Sequence, residues 1–151
     1  MRFETVADVL NTVKDLHTAL ARQFGELEQL TTSERAQLML DYLHRHEKQL
    51  ALATEQYEKQ AGPGIMDTWL QYAPQWQPQE LIDKVRGVDL NDVDSIVKVA
   101  LEVDDYLVDL YREAAEESDI PEVKEAFASF AQVEDNERHK TARSAFRLSD
   151  I

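Results

Sequence analysis

"AGPGIMDTWLQYAPQWQPQELIDKVRGV", residues 61–88, decides how this 151-residue chain folds, because three of the chain's four glycines (Gly62, Gly64, Gly87) and three of its four prolines (Pro63, Pro74, Pro78) fall inside it. Glycine and proline interrupt regular structure, so the segment separates two long uninterrupted stretches. Before it, Phe3, Val6, Leu10, Val13, Leu20, Phe24 and Leu27 recur with a three-four spacing, the inner stripe of an amphipathic helix that Gly25 weakens without ending. "TTSE" at 31–34 offers Thr31 as a cap with Glu34 three residues on, a capping box that starts a second helix with Ala36, Leu40, Leu43, Leu50 and Tyr57 inward.

Beyond the divide, "DLND" predicts the start of a third helix with Val97, Ala100, Leu107, Tyr111 and Ala114 inward. Pro121 suits the first turn of a fourth, striped by Val123, Phe127, Phe130, Ala145 and Leu148. The expected fold is a single all-α domain over 1–151 with helices at about 3–29, 32–60, 91–117 and 121–147. Short connections make two antiparallel hairpins. The crossover, residues 61–90, is long enough to run the length of the bundle and leave the second and third helices parallel. Within it "QPQELIDKVRG" predicts a short helix, and Trp69, Tyr72 and Trp76 supply aromatic surface for packing or for a ligand.

Composition narrows the partners. The net charge is -14, of which residues 76–151 carry -10 (9 Lys+Arg against 19 Asp+Glu). Such a surface repels phosphate backbones and anionic lipid, so neither nucleic acid nor a membrane is an expected partner. "MRFETVADVL" lacks the basic start and apolar run of a signal peptide, and no stretch is apolar enough to span a bilayer, which predicts a cytoplasmic protein. With no cysteine, thiolate nucleophiles and zinc-thiolate sites are excluded. Any metal would be held by carboxylate and imidazole.

The stripes are interrupted at matching places. Shifting the first hairpin by 87 residues lays Leu10 on Val97, Leu20 on Leu107, Leu40 on Phe127 and Leu43 on Phe130. The same shift lays His17 on Asp104 and Glu47 on Glu134, all near the middle of their helices, and Glu137 lies three residues beyond Glu134 on the same face. These five residues, His17, Glu47, Asp104, Glu134 and Glu137, form an expected polar layer. Burying four carboxylates together is very unfavourable unless they are protonated, solvated or neutralised by a cation. Hard oxygen with imidazole suits iron or manganese.

At this point the chain resembles the ferritin-like and rubrerythrin-like four-helix bundles, which also join two hairpins by a long crossover. "HTALARQF" and "DDYLVDLY" are similar to that family's Glu-x6-Tyr stretches, with His17 and Asp104 at the glutamate positions. "EKQL" and "EDNE" are similar to its Glu-x-x-His pairs, with Glu47 and Glu134 matching the glutamates and Leu50 and Glu137 at the histidine positions. Two of six ligand positions keep the family's residue type, three more hold a residue able to bind metal, and Leu50 cannot. The resemblance implies iron or manganese in the bundle core, for oxygen or peroxide chemistry or iron handling. The alternative is a non-enzymatic helical interaction module, a homodimer or adaptor that kept the fold and lost the metal. Self-association as a dimer is expected in either case, and the sequence names no substrate.

"DYLHRHEKQL", residues 41–50, looks like a metal motif but has the wrong spacing for a His-Glu-x-x-His site. Its two histidines are two residues apart, about 200° around a helix, and cannot share one ion. Measured from Leu43, His44 turns outward while His46 and Glu47 flank the inner stripe. His139 is expected in solvent, and Tyr106 and Tyr111 as core or rim residues.

Overall fold

The computed structural model describes residues 4–70 and 76–149. Phe3 of the first stripe, and Tyr72 and Pro74 of the crossover, lie outside the described residues. The elements are α1 (Val6–Leu30), α2 (Glu34–Ala61), α3 (Pro63–Met66), α4 (Pro78–Arg86), α5 (Val93–Glu117) and α6 (Pro121–Ser149). No described helix is long and apolar enough to cross a membrane.

Each long helix begins where a local chemical device satisfies its free amides. Thr5 and Asp8 form a reciprocal capping box at the start of α1. Asp92 caps α5 by accepting from Asp94 N, and Pro121 opens α6. The α2 start differs from the sequence expectation, since Ser33, not Thr31, is the cap and accepts from Ala36 N. The reason is tertiary: the Thr31 hydroxyl donates to Asn91 Oδ1 at 2.8 Å, an oxygen that also accepts from Thr32 N at 2.9 Å. A contact across 60 residues overrides the local option.

That contact also fixes the path of the crossover. At the far end of α1, Val6 N donates to Thr68 O at 2.9 Å and Leu70 N to Glu4 O at 2.8 Å, pairing Thr5 with Trp69 as an isolated antiparallel bridge. The chain therefore leaves α2 beside the start of α1, passes through α4, which packs on α1 and α5, and arrives at Asn91 beside the α1–α2 turn. Thus α2 and α5 start at the same end and run in the same direction. Trp76 stacks on Tyr106, whose hydroxyl accepts from Gln77 N at 3.1 Å, so these groups fasten the crossover to α5. Trp69 stays 65% exposed.

α1 packs along α2 and α5 along α6. Their shared core holds Leu10, Leu20, Phe24, Leu40, Leu43, Leu107 and Phe127, all essentially inaccessible. Each such side chain contributes roughly 1.5–3 kcal/mol through removal from water. The inward face of α5 holds Ala100, Leu107, Tyr111 and Ala114 as expected but is wider than that stripe: Val97 is half-buried, while Ile96, Val99 and Val103 are deep. Tyr57 and Phe130 are likewise half-buried and meet edge to face with centroids 4.7 Å apart.

Gly25, in the interior of α1, has a packing reason. A β-carbon there would lie 3.0 Å from His44 Nδ1, and that ring nitrogen bonds to Ala21 O at 2.7 Å. His44 is thus laid over α1 rather than directed fully outward. Gly25→Ala gains about 1 kcal/mol of helix propensity but displaces the ring and its hydrogen bond, worth about the same. We expect little net change in the wild-type background and about 1 kcal/mol of stabilisation when the substitution is made in His44→Ala, read from urea midpoints.

Candidate metal centre

The polar layer is assembled by four helices. α1 contributes His17 between Val13 and Leu20, α2 contributes His46 and Glu47, α5 contributes Asp104, and α6 contributes Glu134 and Glu137. His17 Nδ1 lies 2.5 Å from Glu47 Oε2 and its Nε2 lies 3.3 Å from Glu134 Oε1, so one ring bridges carboxylates on α2 and α6. His46 Nδ1 lies 2.9 Å from Glu137 Oε2, a second bridge between the same two helices. His46, Glu47 and Asp104 each offer one ligand atom, and those atoms lie within 4.8 Å of one another. The structure therefore brings all five sequence-derived residues together, and His46 joins them as a sixth.

Electrostatics set the protonation of the layer. Burial alone would lower the pKa of His17, but the charge of Glu47 and the hydrogen bonds its ring donates to Glu134 and Glu47 outweigh it and raise the group to about 10. Both ring nitrogens face carboxylates, so both carry protons and His17 is an internal cation. Asp104 is also raised: burial first, then the charges of Glu47 and Glu134, push it up to about 9 against the opposing pull of His17. It is a neutral acid at pH 7. Tyr111 is fully buried, and burial with the charges of Glu134 and Glu47 raises its hydroxyl well above the ordinary value. Its ring packs against Phe127 and Phe130, so Tyr111 forms the apolar wall of the layer.

Within the layer, His46 Nε2 and Glu134 Oε2 are buried without a hydrogen-bond partner, and elsewhere on α2 and α6 so are Glu58 Oε1 and Thr141 Oγ1. Thr141 lies seven residues beyond Glu134, on the same face of α6. Orphaned groups of this kind each cost about 1–3 kcal/mol, so their presence beside convergent carboxylates is unusual for a layer that serves packing alone.

His46 is the residue that sequence reasoning missed. Taken from Leu43 alone it falls at the flank, yet Met39, Leu43, His46 and Leu50 follow one another at spacings of four, three and four, and all four are buried. That run was the available signal. It also answers the problem of Leu50: His46 lies one turn before it on the same face, so an imidazole is supplied from a neighbouring position. The ring is steadied by Tyr42, stacked at 5.8 Å and 18°. His139 is exposed and bonds to Asp135 O, and His44 sits on the α1–α2 surface. Neither reaches the layer.

No family model, curated protein or solved structure matches the chain. What it can do is therefore carried by the geometry of His17, His46 and the four carboxylates.

Proposed function

We propose that the chain is a ferritin-like bundle whose core binds one divalent ion, iron or manganese, between His46, Glu47 and Asp104, for oxygen or peroxide chemistry or for iron handling. The observation that supports it best is the 6% exposed His46, whose Nε2 is orphaned within a group of side chains able to converge on one cation. Carboxylate oxygen with a single imidazole favours these metals over zinc or copper. The crossover that leaves α2 and α5 parallel is the connection such bundles use.

The residues present fit such an ion. When bound it would supply Lewis acidity and one-electron redox capacity. The chain's own groups do the rest: His17, doubly protonated, fixes Glu47 and Glu134, and the apolar wall of Tyr111 and Phe127 keeps water out. His17 supplies one of the positive charges that a second metal would bring, so a single ion is expected where a dinuclear site would hold two. Anaerobic titration with Mn(II), followed by the signal of the free ion in electron paramagnetic resonance, should show one equivalent bound per chain. His46→Ala should bind at least about tenfold more weakly. Two equivalents, or unaltered binding by His46→Ala, would refute this arrangement.

A second reading is a self-associating helical module, favoured by the exposure of Trp69 together with Leu38 and Leu52 on α2. The Mn(II) titration separates the two, because a dimer is expected under either reading and only a module of this kind would be a dimer that takes up no ion.

A further inference from the structure

Five of the six groups in the layer are closed to solvent: none of His17, His46, Glu47, Asp104 and Glu134 is more than 6% exposed. Glu137 is different, with 19% of its side chain accessible. Its Oε2 faces inward to His46 Nδ1 at 2.9 Å, and its Oε1 faces outward to Lys140 Nζ at 3.2 Å. The same residue lines a surface cavity of about 480 Å³ on α6, together with Asn136, Lys140 and Arg143. An ion bound for the interior must exchange hydration water for protein oxygen at some first carboxylate. Glu137 alone among the six touches both solvent and a member of the cluster.

Lys140 occupies the outer oxygen of that carboxylate. A lysine ammonium is a compact point charge on a flexible stem, able to leave without disturbing the helix backbone. We infer that Glu137 is the entry port of the buried layer and Lys140 its gate: a divalent cation arriving in the α6 cavity displaces the ammonium, is held by Glu137, and passes to His46 and Glu47. This rests on the cation-site reading above. The competing route is transient opening of the α2–α6 seam, in which case uptake would follow stability and ignore the local charges.

The test is the rate of Mn(II) uptake by the full chain after rapid mixing, with the bound equivalents measured on the same samples. Lys140→Ala removes the competing charge and should accelerate uptake by about threefold to tenfold with bound equivalents unchanged. Glu137→Gln removes the first carboxylate and should slow uptake by about tenfold or more. Lys48→Ala removes the same charge from the α1–α2 surface and should leave the rate within about twofold, which separates a gate from a general effect of net charge. Wild-type rates in both Lys140→Ala and Glu137→Gln, or equal acceleration by Lys140→Ala and Lys48→Ala, would overturn the port and leave the cation site standing. Failure of the wild-type chain to take up Mn(II) would overturn the cation site and the port with it.

Discussion

Glu47→Ala should lower folding stability by roughly 3–5 kcal/mol and abolish cation binding. Glu47 is 3% exposed and accepts from His17 Nδ1 at 2.5 Å, while His46 and Asp104 each place a candidate ligand atom within 4.8 Å of its own. Removing it leaves the buried His17 imidazolium with Glu134 alone, at 3.3 Å. An uncompensated buried charge costs far more than the pair contributed, which is why truncation of one partner is more damaging than apolar replacement of both. Against a total of about 5–15 kcal/mol for a domain, the expected loss removes a large fraction of stability. Glu47→Gln keeps the volume and an acceptor oxygen, so it should cost about half as much or less while still weakening cation binding. Urea unfolding of the metal-free proteins measures both.

The second large effect is a loss of stability with rising pH. His17 is raised from 6.5 to about 10, so its proton favours the folded state; that contribution is complete below about 6.5 and is lost as pH rises through 10. Asp104 is raised from 3.8 to about 9, so between those values the unfolded chain has released a proton that the folded chain keeps. Here too stability falls as pH rises. The two windows overlap from about 6.5 to about 9, where each retained proton contributes a slope of about 1.4 kcal/mol per pH unit. Asp104→Asn removes one of the two. The variant should be more stable than wild type at pH 8, with a shallower dependence on pH, and should bind Mn(II) more weakly. Thermal unfolding of metal-free protein from pH 6 to pH 9 is the measurement, and identical slopes for the two proteins would contradict the assignment.

These opposite expected outcomes, destabilisation by loss of Glu47 and stabilisation by loss of Asp104, would mark a layer in which folding tolerates Asp104 at a cost. Such a cost is expected where a side chain is kept for something other than packing.

Much of this layer was legible in the chain, for a physical reason. His17, Glu47, Asp104 and Glu134 interrupt otherwise regular apolar stripes, and a charged residue at an interior register is conspicuous wherever periodicity is strong. His46 was not recognised, because a position 300° from Leu43 reads as a flank until Met39 and Leu50 are included in the same run. On α5 the burial of Ile96 and Val99 beside a half-buried Val97 was also missed, since adjacent β-branched residues leave the edge of the stripe ambiguous. The length and composition of residues 61–90 indicated a crossover. How its ends are held was not legible: Asn91 to Thr31 and Thr68 to Val6 join residues about 60 apart in sequence, and no local propensity encodes them.

The most direct measurement of the central claim is the iron and manganese content of the full chain purified without chelator, determined beside Glu47→Ala and Glu134→Ala. The buried layer, read as a cation site, predicts close to one equivalent of iron or manganese in the wild-type protein and little in either variant. A metal-free wild-type protein that also takes up neither Fe(II) nor Mn(II) would show instead that His17 and the neutral Asp104 already balance the layer, and that it holds no ion.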